Sequence, residues 1–146
     1  MRINTRFPVA IHILALIGIN NSMPNTSELM AKSVNTNPVV IRRITSALKK
    51  AGLIQVKAGV GGASLLRNPD TVTLLDIYNA IRSSDDVVIL DLHQEPNPRC
   101  YVGANIHQAL RTPFAAAQEA MERELASHTL GEIMRSLLSA MQDSAK

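Results

Sequence analysis

The chain has no tryptophan, two tyrosines and two phenylalanines in 146 residues. Platforms on which splayed bases could stack are therefore scarce, which argues against a binder of single-stranded nucleic acid. The core has to be built from aliphatic side chains. A single cysteine, Cys100, excludes an internal disulfide and cannot by itself supply a zinc or iron–sulfur site. No apolar run reaches the ~20 residues that a bilayer-spanning helix requires. No signal peptide with a cleavage site precedes the first helix, so a reducing cytoplasm is the expected compartment and no membrane partner is expected. A Ser/His/Asp arrangement, a phosphate-cradling loop and an HExxH motif are also missing, so no enzymatic activity is expected. His93, His107 and His128 show no metal-ligand spacing. His12, inside an apolar stretch, reads as a satisfied core histidine.

Acidic residues are almost absent from the first half. Between Met1 and Arg67 there are nine Lys and Arg and one acid, Glu28, a net +8. From Asn68 onward six basic residues face eleven acidic ones, a net −5. A chain divided this way directs its first half at a polyanion and keeps its second half away from it.

The elements that carry those charges can be placed. FPVAIHILALIGIN (residues 7–20) is nearly all apolar and reads as a buried helix. Thr26 or Ser27 caps a short helix, SELMAKSV. After the turn Asn35-Thr36-Asn37, Asn37 is a good cap and Pro38 sits at the first helical position. VVIRRITSALKKA then runs to Gly52, a left-handed terminator. Two helices joined by so short a turn make a helix-turn-helix. LIQVK and ASLLR around the glycine-rich AGVGG read as a β-hairpin, a wing. Thr73 and Asp76 have capping-box spacing and open a helix ending near Arg82. A polar stretch and a proline-containing loop precede a long helix, Gly103–His128, where Pro113 predicts a kink or a restart. Thr129 and Glu132 then open a last helix. The expected fold class is mainly α with a small β-hairpin: a winged helix-turn-helix at 1–82, then a linker loop and helical dimerisation arm at 83–146.

Winding residues 38–51 at ~100° per residue separates two faces. Val40, Ile41, Ile44, Ala47, Leu48 and Ala51 share one; Val39, Arg42, Arg43, Ser46, Lys49 and Lys50 share the other. Because the start of such a helix reaches base edges, Thr36, Asn37, Val39, Arg42 and Arg43 are assigned to base readout in a major groove. Arg suits guanine, and the Thr and Val methyls suit a thymine methyl. Lys49 and Lys50 are assigned to phosphates. Ser27, Ser46, Lys57, Gly61 and Gly62 complete the expected contact set, with Lys57 and Arg67 as cationic posts beside the wing. The glycines let backbone pass close to a phosphate. The expected partner is double-stranded DNA. A winged-helix module for protein docking is the alternative, but such a module has no need of so large a positive charge.

In the long helix, Ile106, Leu110, Phe114, Ala117, Met121 and Leu125 step by 4, 4, 3, 4 and 4, a narrow seam like that of a coiled coil. A second copy of the chain is expected to cover it.

The run NPVVIRRITSALKKAGLIQVKAGVGGASLLRNPDTVTLLDIYNAI resembles the Rrf2 family of bacterial transcription regulators, which includes iron–sulfur cluster regulators and nitric-oxide-sensing repressors. The likeness extends over the N-terminal helix, the linking loop and TLGEIM near the end. It is most specific where AGL leads into a GG-bearing wing and then TLLDI. The resemblance implies a homodimer whose long helices cross between subunits, each reading head on one half-site, and the expected function is a sequence-specific transcription regulator acting as a repressor. Cluster-binding members carry three cysteines before the long helix. This chain has Cys100 alone, and His93, Asn97 and His107 do not restore the set, so no cofactor is expected. Cys100 follows Arg99 and precedes a helix start, both of which favour a thiolate. It is a candidate sensor of an oxidant. A packed, inert cysteine and a small-molecule signal bound near the hinge are the alternatives.

Overall fold

The computed structural model describes residues 5–20, 24–57, 62–82, 90 and 92–146. Helix α1 (Arg6–Ile19) is the central post, with Ala10, Ile13, Leu14 and Ile17 buried. Its polar exception departs from expectation: His12 is exposed, not a core residue, and its Nε2 lies 3.0 Å from Ser33 Oγ. That face of α1 borders an open groove, so an imidazole there keeps water as well as a partner.

Helix α2 (Ser27–Val34) is capped by Thr26, whose Oγ1 accepts from the Leu29 amide at 3.3 Å. It ends at Asn35, in the left-handed region at φ 60°. Two residues later Asn37 Oδ1 accepts from the Val39 amide at 2.7 Å and opens α3 (Pro38–Lys50), with Pro38 in the first turn. Gly52, at φ 76°, turns the chain out of that helix. Ile41, Ile44 and Leu48 pack α3 into the same aliphatic core as Met30, Ala31 and Leu53. Ala51, placed on the inner face by winding, is exposed, because the chain is already leaving the helix there.

The wing is an antiparallel pair, β1 (Ile54–Lys57) and β2 (Gly62–Leu65), in register from Ile54 opposite Leu65 to Lys57 opposite Gly62. The expected contact Gly61 lies outside the described residues, as does Gly59. The base of the wing is pinned by Asn25, which forms a bridge with Gly62 and donates from Nδ2 to the Ala63 carbonyl at 3.2 Å. Gly62 has φ 88°, and a Cβ there would run into the Asn25 carbonyl oxygen.

A 3-10 turn, Pro69–Thr71, absent from the sequence reading, leads to α4 (Leu74–Arg82). Thr73 and Asp76 form the expected reciprocal capping box, with both bonds at 3.0 Å. Tyr78 is buried edge-on to Phe7, with ring centroids 5.5 Å apart, so two of the few aromatics are spent on joining α4 to α1.

Helix α5 (Tyr101–Ala126) is a 26-residue arm with no buried residue, about 39 Å long at 1.5 Å per residue. It runs through Pro113 without a restart. A proline ring removes one amide bond, but here it is solvent-exposed and long helical flanks carry the turn. Helix α6 (Leu130–Ser144) returns to the body. Leu130 is wholly buried, its amide donates to the Val72 carbonyl at 2.8 Å, and Arg135 pairs with Asp70 at 2.7 Å. The packing thus crosses the division drawn at Arg82, because the last helix shares the core of the first unit.

At the α5–α6 corner, His128 sits between two carboxylates, Glu124 at 2.8 Å from Nε2 and Glu132 at 3.1 Å from Nδ1. Only half of the Thr129 box forms: Thr129 accepts from the Glu132 amide, while the Glu132 carboxylate turns to His128. Glu124 first, then Glu132, raises the His128 pKa above its ordinary 6.5. The charged latch is therefore fully in force below that value and is lost as pH climbs through the raised one.

The pinning of the wing generates an expectation. Gly62→Ala should lower stability by about 1 kcal/mol or more, since the left-handed backbone and the Asn25 contact both oppose a side chain. A urea titration should show a lower midpoint at unchanged slope; an unmoved midpoint would show that the wing base is not seated on Asn25.

Candidate nucleic-acid interface

Burial sorts α3 into two faces. Ile41 and Leu48 are fully buried and Ile44 nearly so, while Arg42, Arg43, Ser46, Lys49 and Lys50 are all exposed, together with Val39 at 47%. An apolar residue left that open on a well-packed helix is one whose surface is available to a partner. Asn37 and Thr36 stand at the head of the same helix, and Ser27 at the head of α2, half-buried beside its cap. Asn37 is committed through Oδ1 to capping, which leaves its amide nitrogen for other bonds.

The cations differ in what already holds them. Arg42 donates from Nη2 to Glu28 Oε1 at 2.8 Å, bridging α3 to α2. Arg67 is turned toward the start of α4, donating to the Thr71 carbonyl at 3.1 Å and lying 3.8 Å from Asp76. It therefore braces the body more than it flanks the wing. Lys57 is exposed at the end of β1, opposite Gly62. The Glu28–Arg42 pair was not readable from the sequence, because the two residues lie fourteen apart in different helices. The one available signal was Glu28 itself, a lone acid in a cationic half.

The expected seam of α5 is partly turned onto its own chain. Ile106, Leu110, Phe114, Met121 and Leu125 are half-buried, and Ala117 is exposed. Phe114 borders a cavity of about 270 Å³ with Tyr78, Leu90 and Leu92, and Arg82 pairs with Glu122 at 3.3 Å. Other apolar surface is more open: Tyr101 at 86% and Val102 at 64% on the arm, and Leu137, Leu138 and Met141 on α6. Between α1 and α6 lies an apolar groove of about 700 Å³ that includes Ile11, Leu16, Ile133 and Met141.

Cys100 occupies the N-cap position of α5 and is exposed. The amides of Gly103, foremost, and Val102 lower its thiol pKa. The cause is the helix start alone, with no contribution from Arg99. His107 is bonded to the His93 carbonyl at 2.8 Å and stacks edge-on to the His93 ring. Among the described residues no group of three or more His, Cys, Asp or Glu could hold a metal ion, and no helix is long and apolar enough to cross a membrane.

Comparison with known proteins bears on this face. The Rrf2 family model, described as an iron-dependent transcriptional regulator, matches residues 3–136. Over 135 residues the chain is 47% identical to YwnA of Bacillus subtilis (strain 168), named as an HTH-type transcriptional regulator, covering 92% of this chain and 98% of that protein. A crystal structure of a protein named as DNA-binding is 45% identical, covers 88% of this chain and 98% of its own, and superposes with a TM-score of 0.70. The global cysteine regulator CymR of B. subtilis, at 20% identity, shares the fold with a TM-score of 0.66 over 93% of this chain and 98% of its own.

The setting of Cys100 has a direct consequence. Its alkylation by iodoacetamide should reach half its limiting rate at a lower pH than that of a model thiol. A profile identical to the model thiol would mean that the helix start does not reach the sulfur.

Proposed function

The chain belongs to the Rrf2 family and is a DNA-binding transcription regulator, not an enzyme, and we propose that it is a cytoplasmic homodimeric repressor that reads an operator with α3. The observation that carries this reading is the sorting of α3: three aliphatic residues sunk in the core, and four cations with Val39 and Ser46 on the face left open. Arg42 and Arg43, in the first two turns, take base edges with Thr36, Asn37 and Val39. Lys49, Lys50, Lys57, Ser27, Ser46 and the wing backbone at Gly61 and Gly62 hold phosphates.

A second copy is the expected cover for the apolar surface beyond Cys100. The arm end at Tyr101 and Val102 and the outer side of α6 support this, since so much exposed apolar side chain is costly in a monomer, and the half-buried seam from Ile106 to Leu125 leaves further apolar surface beside them. The family description is iron-dependent, yet one cysteine does not fit the thiolate set that a cluster needs. We assign the chain no cofactor. The signal acts at the corner between reading head and arm, as an oxidant at Cys100 or as a small molecule bound nearby.

DNA binding should be steeply salt-dependent. Six cations in a dimer, at about 0.9 each, predict a slope of log K against log salt near −5. In selections from a randomised duplex pool, Arg42→Ala and Arg43→Ala should each relax one position by roughly tenfold to a hundredfold, whereas Lys49→Ala should weaken all sequences alike. A flat salt response would remove this function.

Met121→Glu tests the arm. A charge in the seam should give a monomer by light scattering and abolish operator binding, because a lone reading head grips weakly. A dimeric variant would place the interface away from the seam.

A further inference from the structure

Glu28 is the single acid among nine cations in the first 67 residues, and it stands in the first turn of α2, against the reading helix. A carboxylate there repels the phosphates that the other side chains attract. Its place in the first turn favours the start of α2, but that benefit needs no partner in α3. Glu28 and Arg42 are both more than half exposed, at 62% and 57%, and exposed pairs of this kind contribute little. The two helices are already joined through Met30, Ala31, Ile41 and Ile44 in the core.

What the pair changes is Arg42. A free arginine is a long, mobile cation that serves phosphates well at almost any angle. Once its charge is compensated, it releases few counterions from DNA and loses most of that attraction. Its directional donors survive: one of five N–H groups is given to Glu28, and the rest keep the planar fork that matches a guanine edge. Glu28 is itself firmly held as a carboxylate. Its own backbone amide, and then Arg42, lower its pKa from the ordinary value, as expected for an acid at a helix start.

We propose that Glu28 is a specificity-determining positioning residue, which holds the Arg42 guanidinium in one orientation and converts it from a phosphate clamp into a reader of a guanine edge. Lys49, Lys50 and Lys57 supply the phosphate attraction that Arg42 forgoes. This rests on the DNA reading of α3 given above.

The test is selection from a randomised duplex pool by the full-length wild type, Glu28→Gln, Arg42→Ala and the double variant. The amide keeps an acceptor oxygen and removes the charge, and circular dichroism should show unchanged helix content. Glu28→Gln should relax the same base position as Arg42→Ala, by about tenfold, and the double variant should be no more relaxed than Arg42→Ala alone. On a duplex of random sequence, Glu28→Gln should bind more tightly than wild type, with a salt slope steeper by about 0.9 per subunit. A wild type that selects no motif removes the DNA reading itself. A wild type that selects a motif overturns this proposal alone if Glu28→Gln selects that motif unchanged, if it relaxes a position that Arg42→Ala leaves intact, or if Arg42→Ala relaxes none.

Discussion

Everything the molecule presents to a partner depends on the burial of one side of α3. Ile41, Ile44 and Leu48 are held against α1, α2 and α4 in an aliphatic core, and each such side chain contributes about 1.5–3 kcal/mol by leaving water. With 3.6 residues per turn, sinking those three fixes the direction of every other side chain on the helix. The cations are on the outside because they cannot be inside: an unpaired buried charge costs far more than any exposed contact returns. The same constraint explains why the few aromatics are not on this face. Phe7 and Tyr78 fill the core between α1 and α4.

The second constraint is the return of α6. The arm leaves the body after α4 and, through the corner at Ser127–Thr129, comes back to it. Thr73 bridges Thr129, the Leu74 amide donates to the His128 carbonyl at 2.9 Å, and Leu130 closes the core. The C-terminal end of α5 is therefore referred to the reading head. A change at His128 meets the body through packed backbone. The Glu124–His128–Glu132 latch adds a proton-sensitive element at that corner.

Charge pairing then sets what each cation can do. Arg67, Arg82 and Arg135 are spent on tying elements together across Asp76, Glu122 and Asp70. Each exposed pair is worth only about 0–1 kcal/mol, but each takes its arginine out of the supply for a polyanion. Arg43, Lys49 and Lys50 carry no such pair among those described. Arg42 stands between the two groups, paired yet on the reading face.

The sequence alone determined the parts governed by local rules. The caps at Thr26, Asn37, Thr73 and Thr129, the terminator at Gly52, the two-faced character of α3 and the hairpin all follow from short-range hydrogen bonding and helical periodicity, and each stands where the pattern put it. The charge asymmetry and the family resemblance pointed to DNA for the same reason: they are properties of composition and local order. Tertiary structure decided whatever depends on residues far apart in the chain meeting in space. It placed His12 in the open, turned Arg67 onto α4, carried α5 through Pro113, half-covered the seam of the arm and brought α6 back into the first core. It also set Glu28 against Arg42. No period or spacing encodes those encounters, because they follow from how separate helices pack to close one hydrophobic core, and that closure is a property of the whole chain.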